Sequence, residues 1–149
     1  MAAGPILICY DGSVGAQHAI TVAGSLFSGR HAVVVDVGPL DLVAETYAAA
    51  GSGAADVGQA VYNGSLAQAE AGAELARSAG FDAEPRAAID APTWRGITEV
   101  ANDIDAAVIV LGSDGRTGLS ALLEGSVSHD VAEHAERPVL VVPPPAGHA

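Results

Sequence analysis

Toward the carboxyl-terminal end of the chain, glycines and a serine recur at the spacing Gly112-x2-Gly115-x9-Gly125-Ser126. Residues of this kind can hold an anion. Glycine lets the backbone come close to a ligand and adopt positive φ, and a helix that opens near Ser126 would aim free N–H groups and a partial positive charge at it. Arg116 is the only cation within the stretch, and both phosphate contact and a solvated loop position suit it. The same glycines would also serve a long strand-to-helix loop with no ligand.

The chain has no lysine. That excludes the P-loop nucleotidases, whose glycine loop ends in Lys followed by Ser or Thr so that an ammonium reaches the terminal phosphates. It also excludes receiver domains that depend on a lysine after the last strand. A phosphate site here relies on backbone N–H groups, helix termini and arginine.

A hydrolytic reaction would need a base or a bound metal to activate water, and the groups available are Asp11, Asp114, Glu124 and His129. They form no recognised catalytic constellation, so no catalytic residue is assigned. His129 and His134 belong on partly solvated faces of the last helix. His18 and His31 have no carboxylate at ligand spacing, and His148 lies in the tail, so no zinc or iron site is indicated. Trp94 suits packing of a helix start better than the cover of a pocket. Cys9, the single cysteine, stands in the apolar run Ile6-Leu7-Ile8-Cys9-Tyr10 and is expected to act as a small core hydrophobe.

The charge balance narrows the partners. Eighteen acidic residues against six basic ones leave a net charge of −12, which repels polyanions and argues against nucleic acid. No apolar block approaches the roughly 20 residues of a membrane span. The segment Met1 to Pro5 has no basic region ahead of the apolar run, which suits a strand better than a signal peptide, so a cytoplasmic location is expected.

The elements that must position these groups alternate. Pro5–Tyr10 is a buried strand closed by Asp11-Gly12-Ser13, and Val14–Phe27 a helix with Ser13 as N-cap and Ala16, Ile20, Ala23 and Phe27 inward. His31–Val37 is a β-branched second strand ended by Gly38-Pro39. Ala44–Gly58 contains the run Ala48–Ala55, which has no large apolar group to anchor it, and is expected to be a mobile flap or an imperfect helical start. Gln59–Ala79 is a second helix, with Leu66, Ala69, Ala73 and Leu75 or Ala76 on one side, and Ala83–Ile89, with its Pro85, a strand at or near a sheet edge. Thr93 is expected to cap a helix running to about Asp103, with Ile97 and Val100 inward. Ala106–Leu111 is the clearest buried strand, Ser126–Ala135 the last helix, and Val139–Val142 the last strand before Pro143-Pro144-Pro145 stops it.

Five strands joined by four helices predict a single doubly wound α/β domain over residues 1–143, Rossmann-like. Its five-stranded parallel sheet has helices on both faces and strand order 3-2-1-4-5, and residues 144–149 form a flexible tail. In such sheets ligands bind beyond the carboxyl ends of the strands, where the strand order switches.

The glycine spacing, the flanking Ile109-Val110-Leu111-Gly112, Gly125-Ser126-Val127-Ser128 and Arg137-Pro138-Val139-Leu140-Val141-Val142, and Asp11-Gly12-Ser13 after the first strand together resemble the universal stress protein family over nearly the whole chain. The resemblance implies an adenine nucleotide, ATP or AMP, as ligand. Asp11 and Val37 would lie against adenine and ribose, and Gly112 would border the ribose. Gly115, Gly125 and Ser126 would face the phosphates, and Val127 and Ser128 would continue the helix start. Turn formation explains Asp11 equally well. It further implies a homodimer, commonly through the last strand.

Three departures stand out. Asp114 replaces a residue often basic in relatives, Asp36 one commonly His, and Glu124 a commonly apolar one. Unless Mg or another divalent cation bridges Asp114 or Asp11 to phosphate oxygens, affinity for triphosphate is expected to fall. Three functions therefore follow: a nucleotide-binding stress-response regulatory module acting on an unidentified protein partner, a slow metal-dependent ATPase or phosphotransferase, or a dimeric interaction protein that has lost its ligand.

Overall fold

The structure is a computed structural model that describes residues 4–50, 54–113 and 127–145. Its elements run β1 (Ile6–Cys9), α1 (Val14–Phe27), β2 (His31–Pro39), α2 (Leu40–Ala50), α3 (Ala54–Ser78), β3 (Asp82–Asp90), α4 (Thr93–Ile104), β4 (Val108–Gly112), α5 (Val127–His134) and β5 (Val139–Val142). The strands form one all-parallel sheet in the order β3-β2-β1-β4-β5, as the alternation of elements predicts.

Strand alternation divides the core in two. Ile6 and Ile8 of β1 point to one face with Val34, Val110 and Val142, where α1 and α3 cover them. Leu7 points to the other with Val33, Val35, Ile109 and Leu111, beneath α4 and α5. A central strand sandwiched this way needs apolar side chains at every position, and Ile6, Leu7 and Ile8 are completely buried.

Ser13 caps α1 as expected, its Oγ accepting the Ala16 N–H at 3.1 Å. Beyond the helix, Gly29 takes φ of 88° and donates to the Gly80 carbonyl, so the ends of α1 and α3 are tied together. Pro85 lies in β3 opposite Val34, at the sheet edge where a missing N–H costs no ladder bond. Within α3, Ala69, Ala73 and Ala76 are buried, and Leu75 turns outward.

Two expectations need correction. Of the two readings of 44–58, the helical start holds on both sides of residues 51–53 and the flap does not: α2 ends at Ala50 and α3 starts at Ala54, ahead of the expected Gln59. Alanine is the strongest helix former. The anchor that the alanine run lacks is supplied from just outside it by Val43, which is buried and faces Gly58 of α3. Thr93 is not a cap either. It is the first helical residue of α4, preceded by Pro92, which has no side chain to accept a capping bond. Among the described residues, no helix is long and apolar enough to cross a membrane.

Candidate functional site

The strand order reverses between β1 and β4. The chain leaves β1 toward β2 and β3, then crosses back to place β4 on the other side of β1. The segments leaving the two carboxyl ends, Tyr10–Ser13 and Gly112–Ser113, therefore diverge and frame a crevice.

The β1 side is built by local turn chemistry and one distant contact. Asp11 Oδ1 accepts the Ser13 N–H at 3.0 Å, and the Asp11 carbonyl accepts Gln68 Nε2 of α3 at 3.0 Å. Gly12 takes φ of 84°, and a Cβ there would stand 2.6 Å from Gln68 Nε2. Asp11 is thus held by its turn, with its carboxylate exposed at the crevice. On the β4 side, Ser113 donates its N–H to the Val142 carbonyl at 2.8 Å, and a Cβ on Gly112 would meet the Gly15 carbonyl oxygen at 2.8 Å. Gly112 thus lets β4 end against the first turn of α1.

β2 runs further than β1. The last β1–β2 pair is Cys9 with Val35, followed by the Tyr10 N–H on the Val35 carbonyl at 3.0 Å. Backbone polar groups alternate sides along a strand, so those of Val37 point the same way as those of Val35, toward the side from which β1 has turned off. The Val37 side chain packs on α4, where a Cβ on Gly96 would touch its Cγ1 at 2.8 Å. The Val37 backbone, not its side chain, is what the strand presents there.

Asp36 lies on the opposite face of β2 and is half-buried. Burial raises its carboxyl pKa above the ordinary value, a hydrogen bond with the Ser65 hydroxyl of α3 lowers it, and the nearby Asp11 carboxylate raises it again. Cys9 is pushed up to about 12 by burial, then by Asp11 and Asp36. It remains a thiol, as its place in the apolar run implies.

Val127 and Ser128 open α5, the first exposed and the second buried, with Asp130 in the same first turn. Asp114, Gly115, Arg116, Glu124, Gly125 and Ser126 lie outside the described residues. His129 is exposed and pairs with Glu133 at 3.7 Å, while His134 stacks on Trp94 with ring centroids 3.9 Å apart. Trp94 thereby joins α4 to α5 rather than lying over the crevice. His31, expected to lack carboxylates, has two from β3: Asp82 at 3.1 Å and Glu84 at 3.5 Å.

Sequence reasoning missed Ser65, Gln68 and the latch at the end of β3, where Arg95 donates to Asp90 Oδ1 at 2.8 Å. A signal for the first two exists. Ser65 and Gln68 fall on the same stripe of α3 as Ala69, Gly72 and Ala73, and polar side chains among small ones mark a helix face that approaches something polar.

A doubly wound parallel sheet with a crevice at its β1/β4 switch point defines a class of small-ligand-binding α/β domains. The family model "Universal stress protein family" matches residues 3–143, and the chain belongs to that family. Hypothetical protein MJ0577 superposes with a TM-score of 0.77 at 21% identity, over 96% of this chain and 97% of that one. A universal stress protein in complex with cAMP gives 0.69 at 24% identity, over 97% and 100%. A universal stress protein from Archaeoglobus fulgidus in complex with dAMP gives 0.62 at 22%, over 95% and 99%. No curated protein matches the chain.

Proposed function

We propose that this chain binds an adenine nucleotide, ATP or AMP, in the crevice beyond β1, β2 and β4, and acts as a stress-response regulatory module whose occupancy alters the surface offered to a protein partner. The observation that carries the proposal is the extension of β2 past β1, which turns the Val37 backbone toward the crevice beside Asp11. A backbone donor and acceptor in that position suit the hydrogen-bonding edge of a purine. The cAMP and dAMP complexes of two structurally similar proteins support the same ligand class.

In this reading Gly112 borders the ribose. Gly115, Gly125 and Ser126, with Arg116 and the α5 start at Val127 and Ser128, take the phosphates, and Mg, if bound, bridges Asp11 or Asp114 to them. Mass spectrometry of the nucleotide released when the purified protein is denatured, followed by calorimetric titration with ATP and AMP, tests it. Gly115→Val is expected to abolish binding and leave folding intact; retained affinity overturns the assignment.

The protein also forms a homodimer through β5 in this proposal. Among the described residues that strand pairs only with β4, and its Val141 is exposed. An open apolar edge is what a second copy would cover. Light scattering is expected to give the dimer mass, and Val141→Glu to shift it to the monomer.

A further inference from the structure

Three metal-ligating side chains of α5 come together on its outer face. His129, Asp130 and Glu133 each offer one ligand atom, and those atoms all lie within 4.8 Å of one another. Helical geometry explains the gathering. His129 and Glu133 are four residues apart and stand one above the other, and Asp130 lies beside them in the first turn.

The orientation of this face is set by what α5 buries. Val131 and Ala135 belong to the core cluster shared with α4, and Ser128 is buried as well, so the three ligands turn outward. At the far end of the helix, His134 Nδ1 lies 2.8 Å from the Asp130 carbonyl oxygen and its ring stacks on Trp94 of α4. The helix is thereby pinned, and the ligands project from a fixed backbone. The side chains of His129 and Glu133 are 74% and 62% exposed, which leaves room for an ion to approach and keep a water.

The spacing within the pair suits coordination better than a direct bond. His129 Nε2 and Glu133 Oε2 stand 3.7 Å apart, beyond hydrogen-bond length. Neighbouring ligands on a tetrahedral ion, each about 2.1 Å from it, stand about 3.4 Å apart. Rotation of exposed side chains closes the remaining gap in the trio without moving the helix. Charge acts in the same direction, because two carboxylates held this close repel each other and a divalent cation between them cancels the repulsion.

We propose that His129, Asp130 and Glu133 form a surface site for a divalent transition metal, with zinc the ion best matched. One imidazole nitrogen and two carboxylate oxygens are a mixed set that zinc accepts, with water in the fourth position. Magnesium and calcium take oxygen ligands and gain little from the imidazole. His31 marks the contrast. It too has two carboxylates, but Asp82 faces its Nδ1 and Glu84 its Nε2, at opposite edges of the ring, so no single ion can use both. The site does not depend on the nucleotide-binding reading.

The test is calorimetric titration of the metal-free protein with zinc, in buffer that contains magnesium. One zinc ion is expected to bind per chain. His129→Ala and Glu133→Gln should each weaken it at least about tenfold, since losing a ligand costs no less than losing a supporting partner, while His31→Ala leaves it unchanged. Zinc should also raise the melting temperature of the unaltered protein and not that of His129→Ala. Zinc affinity that survives His129→Ala overturns the proposal, as does an equal loss in His31→Ala. Absence of saturable zinc binding overturns it too, and so does displacement of zinc by an equal concentration of magnesium, which would mean attraction to an acidic surface without coordination. Should His129→Ala fail to fold, Glu133→Gln and the magnesium competition decide the matter.

Discussion

A Cβ on Gly112 would stand 2.8 Å from the carbonyl oxygen of Gly15 and 2.9 Å from its carbonyl carbon, so β4 ends in direct backbone contact with the first turn of α1. Neither neighbour is a flexible side chain that could swing aside. The two walls of the switch-point crevice are held at a separation that only a bare backbone at Gly112 permits. Gly112→Ala is therefore expected to cost about 1–3 kcal/mol of stability through forced backbone shifts. It should also weaken nucleotide binding, and denaturant melts paired with titration would measure both effects.

Two glycines of α3 should respond to alanine with opposite signs. Gly64 has nothing within 4 Å of a built Cβ, so Gly64→Ala keeps only the helix-propensity gain, about 1 kcal/mol. At Gly72 the same Cβ would stand 2.7 Å from the Tyr10 ring and 2.8 Å from Val34 Cγ1. Overpacking of about 1–3 kcal/mol outweighs the propensity gain there, and Gly72→Ala is expected to destabilise the protein. Urea midpoints for the two variants that move the same way would contradict this placement of α3 on the sheet.

Asp36 makes stability fall as pH rises. Its folded pKa lies above the ordinary 3.8, so the native state holds the proton to higher pH than the unfolded chain does. Stability then declines with rising pH between the ordinary and the raised value, and stays lowered above it. Asp36→Asn is expected to raise the melting temperature at neutral pH and to have no such effect below about pH 3.8. Thermal melts across pH would show an unchanged neutral value if burial and Asp11 did not act on this carboxyl.

Asp90 behaves in the opposite sense. The Arg95 hydrogen bond lowers its pKa, burial works against this, and the Ala91 N–H adds to the lowering. The stabilisation is present above the ordinary 3.8 and is lost as pH falls through the depressed folded value. Arg95→Gln is expected to lower stability at neutral pH and to flatten the acid limb of the pH–stability curve. A variant with an unchanged acid limb would mean that Arg95 does not hold the carboxylate.

Much of the fold is written locally. The β-branched and aliphatic runs of β1, β2 and β4, the Ser13 cap, and the stops at Gly29 and Gly80 are each decided by neighbours a few residues apart, so periodicity and turn chemistry identify them. The glycine spacing from Gly112 to Ser126 and the surplus of acid over base are equally legible, because they are properties of composition and order. Residues 114–126 lie outside the described structure, and the part proposed for them rests on that spacing.

What only the tertiary structure decided joins residues far apart in the chain. Val43 anchors an alanine-rich helix that looked unanchored, because its contact lies on α3. Gln68 reaches the Asp11 carbonyl across 57 positions, and Ser65 reaches Asp36, because α3 packs over the carboxyl ends of β1 and β2. Local propensity cannot report such pairings, since each residue's preference for helix or strand is the same whichever partner it later meets. Packing makes the choice, and here it set two carboxylates beside a crevice.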